Sequence, residues 1–198
     1  MLDLKAMRLS GSWVDLEPLD EKHREALRAV SVDERIWTYL PSNDAGAKFD
    51  CWFEKAIKGW QEGLQLPFAV INKADQKIIG TTRYYEIAPE HHRLSIGYTW
   101  YVQEVWGSAV NPECKLLLLD HAFETLGANR VAFYTDLRNA RSCSAIKKLG
   151  AVEEGVLRKH MVLEDGHVRD TVVFSIISSE WSGIKTKLIE RLATFKVR

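Results

Sequence analysis

Between an aromatic run, GYTWYV, and a leucine-rich segment the chain reads EVWGSAVNPECK, Glu104 to Lys115. A strand, a glycine turn and a helix start together make an anion site, because the first helical turn leaves backbone N–H groups unpaired. Pro112 suits the first helical position and Asn111 the N-cap. With that register the amides of Gly107, Ser108, Ala109, Val110 and Asn111 converge on one point, and Gly107, lacking a Cβ, lets a bulky anion come close. No Gly-Lys-Ser/Thr follows and no GxGxxG is present, so neither a nucleotide P-loop nor a dinucleotide fingerprint is formed. The alternative for the same residues is an ordinary capped strand–helix turn.

Other residues able to do chemistry are scattered. Cys51, Cys114 and Cys143 are widely spaced and fit no metal or redox pattern, and the six histidines include no HExxH, so no metal is expected. Free thiols and an N-terminus without a signal-peptide core point to the cytoplasm. Twenty-seven basic residues balance twenty-seven acidic ones. No net field therefore draws in nucleic acid or an anionic membrane, and a small or peptide-sized partner is expected.

The elements that must position these residues follow from periodicity. Trp13–Leu19 alternates as a strand, and Asp20 caps a helix running to about Val30. Phe49–Gly63 carries Trp52, Phe53, Ala56, Ile57 and Trp60 at helical spacing. Leu66–Asn72, Lys77–Ala88 and Arg93–Val102 are three strands joined by short turns, an antiparallel meander. Pro112–Leu126 is a helix stopped by Gly127, Asn129–Asp136 a strand, and Ala140–Leu149 a short helix ended by Gly150. Gly155–Ile177 is a hairpin with Asp165-Gly166 as a two-residue turn, and Ser179 to about Thr194 a last amphipathic helix. The order β-α-α-β-β-β-α-β-α-β-β-α predicts an α/β fold. A mixed, mostly antiparallel twisted sheet carries helices on both faces. At 198 residues one domain is expected, 1–198, with a core at 12–178 and a C-terminal helix at 179–198.

With the meander before the turn and DLRNARSCSAIKKLGAVEEG after it, the chain resembles the GNAT superfamily of N-acetyltransferases over nearly its whole length. The superfamily's phosphate loop reads Gln/Arg-x-x-Gly-x-Gly/Ala; here Glu104 departs from it while Gly107 and Ala109 match. Trp106, SIGYTWYV, and the segment Asn139, Ser142, Lys148-Leu149-Gly150 are similar to the Rim-type branch, named for N-terminal acetylation of ribosomal proteins.

The resemblance implies acetyl-CoA as cofactor and direct attack on its thioester by a primary amine. That amine belongs to a protein N-terminus or a small metabolite, and the protein is a monomer or homodimer. It also implies a V-shaped splay between the fourth and fifth strands, with Trp100, Tyr101, Val102, Trp106 and Asn139 beside the cofactor. A bulge near Trp100 or Tyr101 would free an N–H to face the thioester oxygen. The tyrosine acid of many relatives falls at Ile146, so that role is vacant here. Ser142 stands in its place, as proton donor, cofactor ligand or plain cap. His160, in the last hairpin, and Glu86 are candidate bases, and a water relay would need neither. Arg158, Arg169 and Asp170 either recognise substrate or form an ion pair. A second reading is a non-catalytic acyl-CoA-binding module of the same fold.

Overall fold

The computed structural model describes residues 5–195; the ends of the expected domain, 1–4 and 196–198, lie outside the described residues. The strands are β1 (Leu9–Ser10), β2 (Val14–Pro18), β3 (Leu66–Asn72), β4 (Ile78–Ala88), β5 (Arg93–Tyr101), β6 (Arg130–Asp136), β7 (Val152–Val162) and β8 (Val168–Ile177). The helices are α1 (Arg24–Val30), α2 (Phe49–Gln61), α3 (Val110–Asp120), α4 (Ala140–Lys147) and α5 (Ser178–Ala193). One sheet runs β1-β2-β3-β4-β5-β6-β8-β7.

Every neighbouring pair is antiparallel except β5 and β6. Those two pair only at Arg93–Arg130, Leu94–Val131 and Ser95–Ala132, and past Ser95 they part. This is the expected V-shaped splay, and two bulges lie beside it. Between Tyr85 and Ala88 β4 carries one residue more than β5, and between Gly97 and Trp100 β5 carries one more than β4. Glu86 and Tyr98 each take a φ of 49° there, a left-handed conformation that costs a β-branched or bulky residue about 1–3 kcal/mol and persists only when its surroundings impose it. Sequence placed the β5 bulge at Trp100 or Tyr101; it lies at Tyr98–Thr99, and those two residues are back in register opposite Thr81 and Gly80.

The bulge also switches the face. Leu94 and Ile96 point into the core under α3 and α5, whereas Trp100, at the same parity, packs with Trp37 and Trp52 on the opposite face, and Tyr101 takes up the first face. Phe49, Trp52, Phe53 and Ala56 of α2 are buried at helical spacing against that second face. Tyr84 is wholly buried, its hydroxyl donating to the Leu118 carbonyl at 2.5 Å.

Three other expectations need correction. Helix α3 starts at Val110 with Ala109 as its cap residue, so Asn111 is not the N-cap and Pro112 is the third helical residue, where a missing N–H still costs nothing. Its C-terminal end is not α-helical to Leu126 but a π-helical stretch, His121–Thr125. The last hairpin closes through a longer loop, with Leu163 N donating to the His167 carbonyl at 2.9 Å, rather than a two-residue turn. Glu113, in the first turn of α3, accepts the backbone N–H groups of Ser12, Trp13 and Val14 at 2.6–2.8 Å. It thereby ties the start of β2 to the helix that carries the glycine turn.

Candidate active site

A cleft of about 730 Å³ fills the splay and opens between the α3 and α4 N-termini on one side and the α1–α2 connection on the other. The turn after β5 lines its floor. Trp106 Nε1 donates to the Tyr101 carbonyl at 2.9 Å, and the Arg141 guanidinium lies 3.6 Å from the centre of its ring. Gly107 has a φ of +75°, and a Cβ placed there would meet no atom within 4 Å.

Five amides were expected to converge at this turn. Two are engaged internally: Ser108 N with the Val105 carbonyl at 3.3 Å, and Val110 N with Ser108 Oγ at 3.2 Å. Among the described residues those of Gly107, Ala109 and Asn111 remain for a ligand. The open space above a positive-φ glycine and three unpaired amides at a helix start together fit a pyrophosphate.

The structure brings Glu86, Trp100, Tyr101, Trp106, Gly107, Ser108, Asn111, Asn139, Ser142 and His160 to this one cleft. Val102, Ala109 and Val110 do not line it: Ala109 and Val110 are buried under the turn, and Val102 returns its N–H to Ile79. Asn139 caps α4, its Oδ1 accepting Ser142 N at 3.0 Å, and Ser142 itself lines the cleft. Ile146, where many relatives carry a tyrosine, is buried in the core as well as reaching the cleft wall.

His160 Nδ1 lies 3.1 Å from Thr171 Oγ1, and Glu86 accepts the Ser95 hydroxyl at 2.9 Å. The ion pair considered for Arg158, Arg169 and Asp170 does not form, since Asp170 accepts the Lys159 amide at 2.6 Å and Arg169 turns into the cleft.

Sequence reasoning singled out Arg169, as a substrate contact or ion-pair partner, and Lys148, within a cofactor motif, but missed the other cations of the cleft. Arg35, Lys115, Arg141, Lys148, Arg169 and Arg191 all line it, against Glu86 as the single carboxylate among the described residues. They come from the α1–α2 connection, α3, α4 and the residue after it, β8 and α5, so no run of basic residues announced them. Lys115 is buried and donates to Thr82 Oγ1 at 3.2 Å and Thr99 Oγ1 at 2.7 Å; desolvation pushes its ammonium down to about 8.

A parallel pair splayed over a glycine-started helix is the architecture of an acetyltransferase, and residues 14–152 match the model described as the acetyltransferase (GNAT) domain. The chain belongs to the GNAT acetyltransferase family. In structure it is similar to a GCN5-related N-acetyltransferase from Brucella melitensis, 32% identical, covering 96% of this chain and 87% of that one with a TM-score of 0.89. In sequence it is 27% identical over 178 residues, 86% of this chain and 92% of the other, to Bacillus subtilis (strain 168) YdaF, provisionally named a ribosomal N-acetyltransferase. The fold of Mycobacterium smegmatis RimJ, solved with CoA-disulfide, is also similar, at 18% identity, 90% and 88% coverage and a TM-score of 0.78. No helix among the described residues is long and apolar enough to cross a membrane.

Proposed function

We propose that this acetyltransferase uses acetyl-CoA and transfers the acetyl group to a primary amine, on a protein N-terminus or a small molecule, by direct attack. The observation that carries this reading is the splay past Ser95 opening onto the Gly107 turn. It supplies a slot between two strands and an anion cradle at its end. Bound there, acetyl-CoA supplies an activated acetyl group as a thioester. The amides of Gly107, Ala109 and Asn111 hold its pyrophosphate, and Trp106, Asn139 and Ser142 border the rest of its path. The acceptor enters from the α1–α2 side, where Tyr39, Tyr85, Tyr98 and His160 line the cleft. The incoming amine must shed a proton and the departing sulfur must gain one. Ser142, in the first turn of α4 and lining the cleft, is the candidate for the second task, and Glu86 and His160 are the candidates for the first.

Thiol release measured over a panel of amines tests the reading. Saturable CoA binding with no release for any amine would leave an acyl-CoA-binding module instead.

Two side chains have separable expectations. Ser142→Ala lowers turnover more than CoA affinity if its hydroxyl protonates the sulfur, and lowers both alike if it only binds; wild-type values for both reduce Ser142 to a helix residue. His160→Ala is expected to be nearly silent, since the exposed ring already spends Nδ1 on Thr171 and a water relay needs no imidazole. In that case the pH–rate curve of the variant overlays that of the wild type and follows the amine's own titration. A loss on the order of a hundredfold, with one inflection erased, would make His160 the base.

A further inference from the structure

Arg169 and Thr171 alternate along β8, so both face the cleft, and both are buried. Arg169 is 4% exposed, and its Nε is buried without a hydrogen-bond partner. Among the described residues no carboxylate lies within ion-pair distance of its guanidinium. The carboxylate whose charge it feels most, Asp136, is already spent: it accepts Arg138 N at 2.8 Å, Arg138 Nη2 at 2.8 Å and Arg138 Nε at 3.1 Å. Its chain neighbour Asp170 is held by the Lys159 amide. What Arg169 meets in the cleft is the phenols of Tyr85 and Tyr98, 5.1 Å apart centre to centre, and Thr171, while the like charge of Arg138 beyond Asp136 further disfavours its own.

A desolvated cation without a counterion is unfavourable unless something completes it. Burial disfavours its charged form and Asp136 only partly restores it. The other cations have their own tasks or places. Arg141 and Lys148 sit on and just after α4, Arg191 on α5 donates to the Lys148 carbonyl at 3.1 Å, and Lys115 is bonded to two threonines. Arg35, on the α1–α2 side, is paired with Asp33 at 2.8 Å, and Arg83, stacked on Tyr98, does not line the cleft and donates to Gln65 Oε1 at 2.8 Å, so among the described residues Arg169 is the cation lining the acceptor half that has no partner. A guanidinium fork matches a carboxylate with two parallel hydrogen bonds. By the same logic a polyamine entering here meets like charge, with only Glu86 to offset it.

We infer that the acceptor amine carries a carboxylate and that Arg169 binds it, which makes amino acids or peptides with an acidic group near the N-terminus the substrate class and disfavours polyamines. This rests on the acetyl-transfer reading above, and the two can fail separately.

The test pairs each acid with its neutral isostere: alanine against alaninamide for an α-carboxylate, and the dipeptide amides Ala-Glu against Ala-Gln for a side-chain one, with spermidine as the polycation. Thiol release should favour at least one acid over its isostere, and over spermidine, at least tenfold in kcat/KM. Which pair shows the gap tells the α-carboxylate from the side-chain one. In Arg169→Met that ratio should fall to about one through KM, with the neutral acceptors and CoA affinity unchanged, and Arg169→Lys should recover part of it. Equal wild-type rates for acid and amide, preference for spermidine, or an Arg169→Met loss shared by every acceptor would overturn the inference, and the first two need no variant to fold. If no amine is acetylated, calorimetric titration of the CoA-loaded wild type with the same pairs decides. Tighter binding of an acid keeps the carboxylate site and removes the transferase reading, while equal binding removes the carboxylate site.

Discussion

Gly107→Val is expected to weaken CoA binding at least tenfold, about 1.4 kcal/mol, while the fold persists. The residue sits at a φ of +75° with nothing within 4 Å of the point where a Cβ would emerge. No protein atom resists the new side chain, so its bulk enters the space above the Gly107, Ala109 and Asn111 amides. A β-branched residue adds the strain of a left-handed backbone, and relief by a turn movement would misalign the same amides. Gly107→Ala separates the two causes. It imposes most of the backbone strain with little bulk, so an affinity near that of wild type for alanine and a large loss for valine would assign the effect to blocked approach. Calorimetric titration with CoA, alongside thermal melting of each variant, reads both. Unchanged affinity in a folded Gly107→Val protein would remove the pyrophosphate from this turn.

The glycine turn was legible because local rules act within a few residues: a strand end, a positive-φ glycine and a helix start announce themselves in Glu104–Lys115. The same holds for Leu66–Asn72, where a short apolar run between turns marked both ends of β3. What failed was one-residue detail. Asn111 and Pro112 read as cap and first residue, but helix α3 begins at Val110, and the two amides that Ser108 and Val105 capture were not foreseeable from residue type. The β5 bulge was expected on general grounds yet misplaced, since nothing in SIGYTWYV marks Tyr98 as the residue to take a φ of 49°. Its position is set by the partner strand and by the aromatic cluster that claims Trp100. Least legible were the charges in the cleft. Lys115 occupies a position that looks like any solvent-facing residue of a helix, and although Arg169 was a candidate for substrate recognition, only the assembled sheet shows both of them buried.

Lys115 supplies the other large expected effect. Its ammonium is held down to about 8, from 10.5, by burial. A lysine whose folded value lies below its unfolded one binds fewer protons in the native state between the two values, so its contribution to stability rises with pH across that window. Below about 8 the cost is complete and constant: roughly 3 kcal/mol from the 2.5-unit gap, at 1.36 kcal/mol per unit, as an upper figure. Its neighbours push the other way, since Cys114 is raised to about 12 and Tyr84 and Tyr101 are raised well above the usual phenol range, so their native contribution is lost as pH rises. The wild-type curve alone therefore mixes both signs, and the difference from Lys115→Met isolates the lysine. That difference should favour the methionine variant at pH 7 and shrink towards pH 10.5. Part of the gain is offset by the lost bonds to Thr82 and Thr99, about 1 kcal/mol each. Denaturant unfolding of both proteins at pH 7, 8, 9 and 10 measures it, and parallel curves over that range would show that Lys115 keeps its proton throughout. Because Thr99 lies in the β5 bulge, a methionine variant that gains stability while losing turnover would show what the buried charge is retained for: holding the bulge open beside the cleft.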